Sequence, residues 1–109
     1  MVQEINRKFY RKITNLTGIY RKMTPPFISG KISVTDVSFT GCGFEAPLSH
    51  SLRPDDRIRI TFTLNDVRGS MIRKDAIVRK VEGHRIGCQF IALPGAYDPD
   101  LGFYLRNHE

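Results

Sequence analysis

The stretch RIRITFTL, residues 57–64, alternates apolar and polar side chains over its whole length. One set of alternate positions is apolar and contains Ile58, Ile60, Phe62 and Leu64. Successive side chains of a β-strand point to opposite faces, so a period of two is typical of a strand with one face in the core and the other in water. The stretch therefore predicts a core built from β-structure.

Five further segments have strand character. They are LTGIYRK (16–22), KISVT (31–35), CGF (42–44), SMIRKDAIVRKVE (70–82) and RIGCQF (85–90). In the longest one, Ile72, Ala76 and Val78 share a register with Lys74 and Lys80, which predicts a bend. Turn residues separate the segments by short connections, which favour antiparallel neighbours. The sequence thus predicts an all-β fold, a six-stranded antiparallel β-barrel.

The end of the chain, YDPDLGFYLRNHE (97–109), is the one segment with a helical pattern. Asp98 can cap a helix that has Pro99 in its first turn, and Leu101 and Leu105 fall on one face. Gly102 weakens such a helix in isolation. We therefore expect a short C-terminal helix that leans on the barrel.

The size and cysteine content limit the class of protein. The 109 residues suffice for one domain with a single core. No apolar run approaches the roughly 20 residues of a membrane helix, and the first residues do not resemble a signal peptide, so we expect a cytoplasmic protein without membrane insertion. Cys42 and Cys88 have no CxxC grouping, which predicts two reduced core thiols.

The net charge of +6 is concentrated in the first third of the chain. Residues 1–31 contain seven lysines and arginines against a single carboxylate, Glu4, whereas the basic and acidic residues of the remainder cancel. An excess of this kind suggests that the segment faces an anion, which could be a nucleotide, a nucleic acid or a phospholipid surface. A solvated basic face is the alternative.

Residues suited to catalysis lack the necessary partners. His50, His84 and His108 have no metal-ligand spacing and are predicted to be surface residues. Ser38 and Cys42 have no nucleophile motif around them. Walker and GxGxxG motifs are absent as well. The sequence predicts a protein that is not an enzyme, with no catalytic residues, no metal and no cofactor.

Two short motifs remain, and their chemistry is that of ligand binding. The guanidinium groups of Arg7 and Arg11 are planar, and each can bind a phosphate or the O6 and N7 edge of guanine with two hydrogen bonds. The Asp36 carboxylate can accept from the donor edge of guanine. Ser38, two residues on, is expected on the same strand face, with its hydroxyl near a phosphate. Gly41 permits a close backbone approach or a positive φ.

These motifs, Arg7-xxx-Arg11 and Asp36-x-Ser38-xx-Gly41, resemble the RxxxR and [D/N]xSxxG motifs of PilZ domains, the bacterial receptor modules for cyclic di-GMP. Their order matches, and RIGCQF is similar to a late strand of that family. The resemblance implies a PilZ-like barrel that binds cyclic di-GMP through Arg7, Arg11, Asp36, Ser38 and Gly41. It also implies a flexible basic arm over residues 1–13 and a barrel domain with its helix over residues 14–109.

Because no catalytic or transmembrane unit accompanies the domain, we expect its output to pass through a protein partner or a piece absent from this chain, and the sequence does not identify which. Ordering of the N-terminal arm on the nucleotide would present a changed surface to that partner. Two alternatives stay open at this point. One is an OB-like barrel that binds single-stranded nucleic acid with Phe9 and Tyr10, which is less favoured because no strand carries a row of exposed aromatics. The other is a protein-interaction module without a ligand.

Overall fold

The computed structural model describes residues 11–91 together with Leu101, Tyr104 and Leu105. Six antiparallel strands form a closed barrel in the order β1-β2-β3-β6-β5-β4, which confirms the predicted architecture. The strands are β1 Lys12–Lys22, β2 Ser29–Val37, β3 Gly41–Glu45, β4 Arg57–Thr63, β5 Met71–Glu82 and β6 Arg85–Phe90. No helix in the described part of the chain is long and apolar enough to cross a bilayer.

The apolar face of each strand fills the barrel. Val34, Val37, Ile58, Ile60 and Val78 are fully buried, as the alternation predicts. Cys42 and Cys88 are buried within the same core, which confirms the position predicted for them.

Two glycines allow neighbouring strands to approach closely. A Cβ atom on Gly41 would lie 2.1 Å from the Cys88 carbonyl oxygen on β6, and one on Gly18 would lie 2.5 Å from the Thr61 carbonyl oxygen on β4. Backbone atoms cannot yield as a flexible side chain can, so both positions require glycine. Gly41 was predicted to permit a close backbone approach, and in the structure it allows β3 to approach β6 closely.

The bend predicted in the longest strand is an irregularity of register between Val78 and Lys80. It turns Lys80 to the outside, whereas strict alternation would place it in the barrel with Val78. Lys74 keeps the inward register and is half-buried, with its ammonium 5.9 Å from the centre of the Phe90 ring. A bulge thus removes one of the two lysines from the core register.

His50 is buried, so the prediction that it is a surface residue is wrong. It is 8% exposed. Its Nδ1 accepts from the backbone N–H of Leu52 at 2.8 Å, and its Nε2 lies 2.7 Å from the Gly83 carbonyl oxygen. A ring that accepts at Nδ1 and donates at Nε2 is the neutral tautomer. The imidazole therefore joins two loops, a role that local spacing does not reveal.

The structure describes parts of both ends of the predicted barrel domain. Strand β1 begins at Lys12, so it includes two residues of the segment assigned to the arm. Leu101, Tyr104 and Leu105 have helical backbone and are buried. The Lys12 ammonium lies 5.3 Å from the centre of the Tyr104 ring, whose hydroxyl donates to Asn65 at 2.6 Å. Asp98, Pro99 and Gly102 lie outside the described residues, and the C-terminal helix stays a prediction.

Candidate functional site

Arg11 and Asp36 are far apart in sequence and meet in the barrel. Arg11 immediately precedes β1, and Asp36 lies near the end of β2, which pairs with β1. The Arg11 guanidinium donates to the Asp36 carboxylate, and the two side chains are 52% and 18% exposed. The structure therefore brings one residue of each motif into a single ion pair at the surface. Arg7 lies outside the described residues.

Two glycines form a floor without side chains beside this ion pair. Asp36 pairs with Gly43 on β3, Gly43 pairs with Gly87 on β6, and Gly87 pairs with Lys80 on β5. A Cβ atom on Gly43 would lie 2.7 Å from Asp36 Oδ2, so this glycine makes room for the carboxylate. A Cβ atom on Gly87 would meet only the Lys80 Cβ, at 3.6 Å. Gly87 is thus not required by packing, and its effect is to leave the floor open.

The floor is part of a depression of about 350 Å³ on the outside of the barrel, which we call the groove. The side chains around it are those of Arg11, Thr35, Asp36, Lys80, Glu82 and Arg85. Its cations exceed its carboxylates by one, and the Lys80 ammonium lies 3.5 Å from Glu82. Because most of these charges are exposed, their ion pairs are weak and can be exchanged for contacts with a ligand.

Ser38 holds the turn between β2 and β3. Its hydroxyl accepts from the backbone N–H groups of Thr40 and Gly41, each at 3.2 Å, and lies 3.2 Å from the Gly41 carbonyl oxygen. Strand β2 ends at Val37, so the alternation that predicted Asp36 and Ser38 on the same face does not reach Ser38, which is 0% exposed. That prediction is wrong because the chain turns first, and a contact of Ser38 with a phosphate stays a prediction.

The two thiols lie directly beneath the floor, on the inner side of the same strands. Cys42 and Cys88 are paired across β3 and β6, with 3.6 Å between their sulfur atoms. The hydrogen bond between the two thiols, together with burial, raises the pKa of Cys42, and the same hydrogen bond lowers the pKa of Cys88. In the described part of the chain no group of three or more metal-ligating side chains occurs.

A second depression, of about 520 Å³, lies next to the groove on the outer side of β2 and β3. Its polar side chains include Lys31, Glu45 and His84, of which the last two are 3.9 Å apart. Arg11, Asp36, Ser38 and Gly41, the described residues that were predicted to bind a ligand, do not line this depression. We therefore place the candidate site in the groove, which contains both Arg11 and Asp36.

Sequence reasoning missed most of the groove. Gly43, Gly87, Lys80, Glu82 and Arg85 all line it, and none was predicted as a site residue. A usable signal was present in the two glycines, because a glycine within a strand often marks the close approach of a ligand or of another backbone. The charged residues gave no such signal, since exposed charges are common on the outer face of any strand.

Comparison with known proteins agrees with the barrel fold. The family model described as PilZ domain matches residues 5–105, so the chain belongs to the PilZ domain family. This is a family of receptor domains for cyclic di-GMP, which bind a ligand rather than catalyse a reaction. No curated protein matches the sequence.

Two solved structures have similar folds. One is the Bacillus subtilis inhibitor of motility, MotI/DgrA, with a TM-score of 0.73 and 14% identity over 92% of this chain. This chain spans 48% of that protein's length. The other is the PilZ domain of CeSA from a cellulose-synthesizing bacterium, with a TM-score of 0.64, 12% identity, and coverage of 88% of this chain and 90% of that one.

Proposed function

We propose that this protein is a cyclic di-GMP receptor that binds the nucleotide in the groove. The observation that supports this most directly is the position of Arg11 and Asp36 beside a floor made of Gly43 and Gly87. Guanine is planar, with acceptors at O6 and N7 and donors on its Watson–Crick edge. An arginine fork, a carboxylate and a floor without side chains are the groups that such a base requires.

Each predicted residue has a role in this proposal. Arg7 and Arg11 bind guanine edges and phosphates, and Asp36 accepts from the base. Ser38 and Gly41 hold the turn that follows Asp36, and a contact of the Ser38 hydroxyl with a phosphate remains a prediction. One Arg11 nitrogen donates to Asp36, and a guanidinium has further N–H groups, so Arg11 can contact the nucleotide without losing the carboxylate.

Calorimetric titration with cyclic di-GMP tests the proposal and gives the number of nucleotides per domain. Cyclic di-AMP is the matched control, because adenine replaces the O6 acceptor of guanine with a donor and would face the arginines with the wrong group. We expect binding of cyclic di-GMP and at least about tenfold weaker binding of cyclic di-AMP. Equal affinity for the two nucleotides would contradict the proposal.

The N-terminal arm is the proposed moving part. Residues 1–12 carry dense positive charge, and phosphates would neutralise Arg7 and Arg11 so that the arm folds over the nucleotide. The ordered arm would then present a new surface to an output partner. Hydrogen exchange over residues 1–12 should slow when cyclic di-GMP is added. Strong protection without nucleotide, unchanged by binding, would show a preformed site and exclude this mechanism.

The two alternatives predict different titrations. A barrel that binds single-stranded nucleic acid would exchange cyclic di-GMP for an oligonucleotide in a competition experiment. An interaction module without a ligand would give no heat with either. No outward-facing position on the six described strands is occupied by an aromatic side chain, and base stacking therefore has no platform there. The receptor function is the one that the groove favours.

A further inference from the structure

A second outer surface of the barrel, on the side away from the groove, gathers arginines from three strands. Arg21 on β1 lies directly opposite Arg59 on β4, and Ile19 lies opposite Thr61, which is paired in turn with Arg73 on β5. We call this surface the arginine face. Its members are Ile19, Arg21, Arg57, Arg59, Met71 and Arg73.

The charges of the arginine face are largely uncompensated. Asp75 is the one carboxylate on β1, on β4 or on β5 before its bulge, and it pairs with Arg59 at 2.8 Å. No carboxylate within residues 11–91 forms an ion pair with Arg21, Arg57 or Arg73. Like charges directly opposite each other destabilise a sheet. Folding alone therefore gives no reason for this arrangement.

Two apolar side chains are exposed among these arginines. Ile19 is 51% exposed and Met71 is 64% exposed. Arginine and methionine are enriched in protein–protein interfaces, where lysine is depleted. The guanidinium fork also binds a carboxylate with two parallel hydrogen bonds. The face thus combines apolar contacts with the cation that is best suited to acidic side chains.

We propose that the arginine face is a docking surface for an acidic protein partner. The positive charge of the face is complementary to a polyanion. Its arginines and exposed apolar side chains favour a protein over other polyanions. A single-stranded nucleic acid would need aromatic side chains for stacking, which β1, β4 and β5 do not present at their outer positions. The use of this face for the output of a cyclic di-GMP receptor rests on the proposed function, whereas docking itself does not.

A defined acidic probe tests the proposal on the whole chain. The probe is a synthetic peptide of about 12 residues with repeated Glu-Glu-Leu, titrated into isotopically labelled protein at physiological salt and followed by NMR. The charge variant is Arg21→Glu with Arg73→Glu. The matched control is Arg53→Glu with Arg79→Glu, which reverses two exposed arginines outside both the arginine face and the groove. Ile19→Ser tests the apolar contact, and its control is Leu48→Ser, at a residue that is 76% exposed and lines the second depression.

We expect amide shifts on β1, β4 and β5, and at least about tenfold weaker peptide binding in the charge variant. The control pair and Leu48→Ser should change the affinity less than about twofold, and Ile19→Ser should weaken binding about threefold or more. Equal losses in the charge variant and its control, or no loss in Ile19→Ser, would overturn the proposal. Tighter binding of vesicles with about 30% phosphatidylserine, or of an oligothymidine, would overturn it in favour of a lipid or a nucleic acid.

Cyclic di-GMP titration of the same variants separates this proposal from the proposed function. The charge variant should bind the nucleotide as the unmodified protein does, because neither Arg21 nor Arg73 lines the groove. If the unmodified protein binds the peptide but not cyclic di-GMP, the proposed function fails and the docking surface stands. If it binds cyclic di-GMP but not the peptide, the docking surface fails alone.

Discussion

The groove and the arginine face are two outer surfaces of one barrel, built from strands with the same alternation, and they differ in what their outward positions carry. In the groove, Gly43 and Gly87 leave two outward positions without a side chain, and Asp36 forms an ion pair with Arg11. On the arginine face every outward position has a side chain, and among the described residues only Arg59 of its four arginines has a carboxylate partner. A small planar ligand needs empty space and paired polar groups, whereas a protein partner needs protruding contacts. The same strand pattern supports both.

The largest expected effect is on the free energy of unfolding. It distinguishes Gly41 and Gly18, which the close approach of two strands requires, from Gly87, which leaves the groove open. Gly41→Ala and Gly18→Ala should each lower the free energy of unfolding by about 3 kcal/mol, because the new Cβ would meet a carbonyl oxygen of the neighbouring strand. Urea denaturation measures the change. Gly87→Ala is the control and should alter stability by less than about 1 kcal/mol, since its Cβ would make an ordinary contact. Equal stability of all three variants would refute the distinction.

Substitution of an arginine in the groove should weaken cyclic di-GMP binding, whereas substitution of one on the arginine face should not. Arg11→Ala should weaken cyclic di-GMP binding by about 30-fold, because a charge-assisted contact contributes about 2 kcal/mol. Arg21→Ala removes the same charge on the arginine face and should leave the affinity unchanged. Arg11→Lys should resemble Arg11→Ala, since an ammonium lacks the planar fork. Calorimetry checks all three, and an Arg11→Lys variant with normal affinity would show that only bulk charge is used.

The floor of the groove can be tested without disturbing the fold. Gly87→Ala places a methyl group on the floor, where we expect it to hold the base away from the backbone and to weaken cyclic di-GMP binding about tenfold. The same variant should unfold at nearly the same urea concentration as the unmodified protein. Unchanged affinity in this variant would show that the nucleotide does not lie on the floor.

The smallest effects concern stability and have opposite signs on the two surfaces. Arg21→Glu replaces a repulsion with Arg59 by an attraction and should raise stability by about 0.5 kcal/mol. Arg85→Glu should lower stability by a similar amount, because Arg85 is paired between Glu45 and Glu82. Thermal unfolding at low salt measures both, and about 1 M salt should reduce both differences. A loss of stability in Arg21→Glu would indicate that Arg21 has a structural partner.

The local alternation of side chains was sufficient to predict the strands of the fold, but it was not sufficient to predict all of the site. The period of two predicted all six strands, and the bend in β5 followed from two lysines in an otherwise apolar register. Ser38 was placed on the wrong face because alternation was extended past the end of β2. His50 was placed at the surface because its contacts come from the distant Gly83. The Ser38 error concerns the residue at which a strand ends, and the His50 error concerns a contact that is distant in sequence.

The sequence by itself determined the strands, the motifs with Arg11 and Asp36, and the excess of positive charge in residues 1–31. The tertiary structure alone decided that β3 pairs with β6, which sets Gly43 beside Gly87 and forms the floor. It also added Arg57, Arg59 and Arg73, from a part of the chain that has no net charge, to Arg21 on one surface. The physical reason is that alternation depends on neighbours along the chain, whereas a binding surface depends on which strands the closed barrel places side by side.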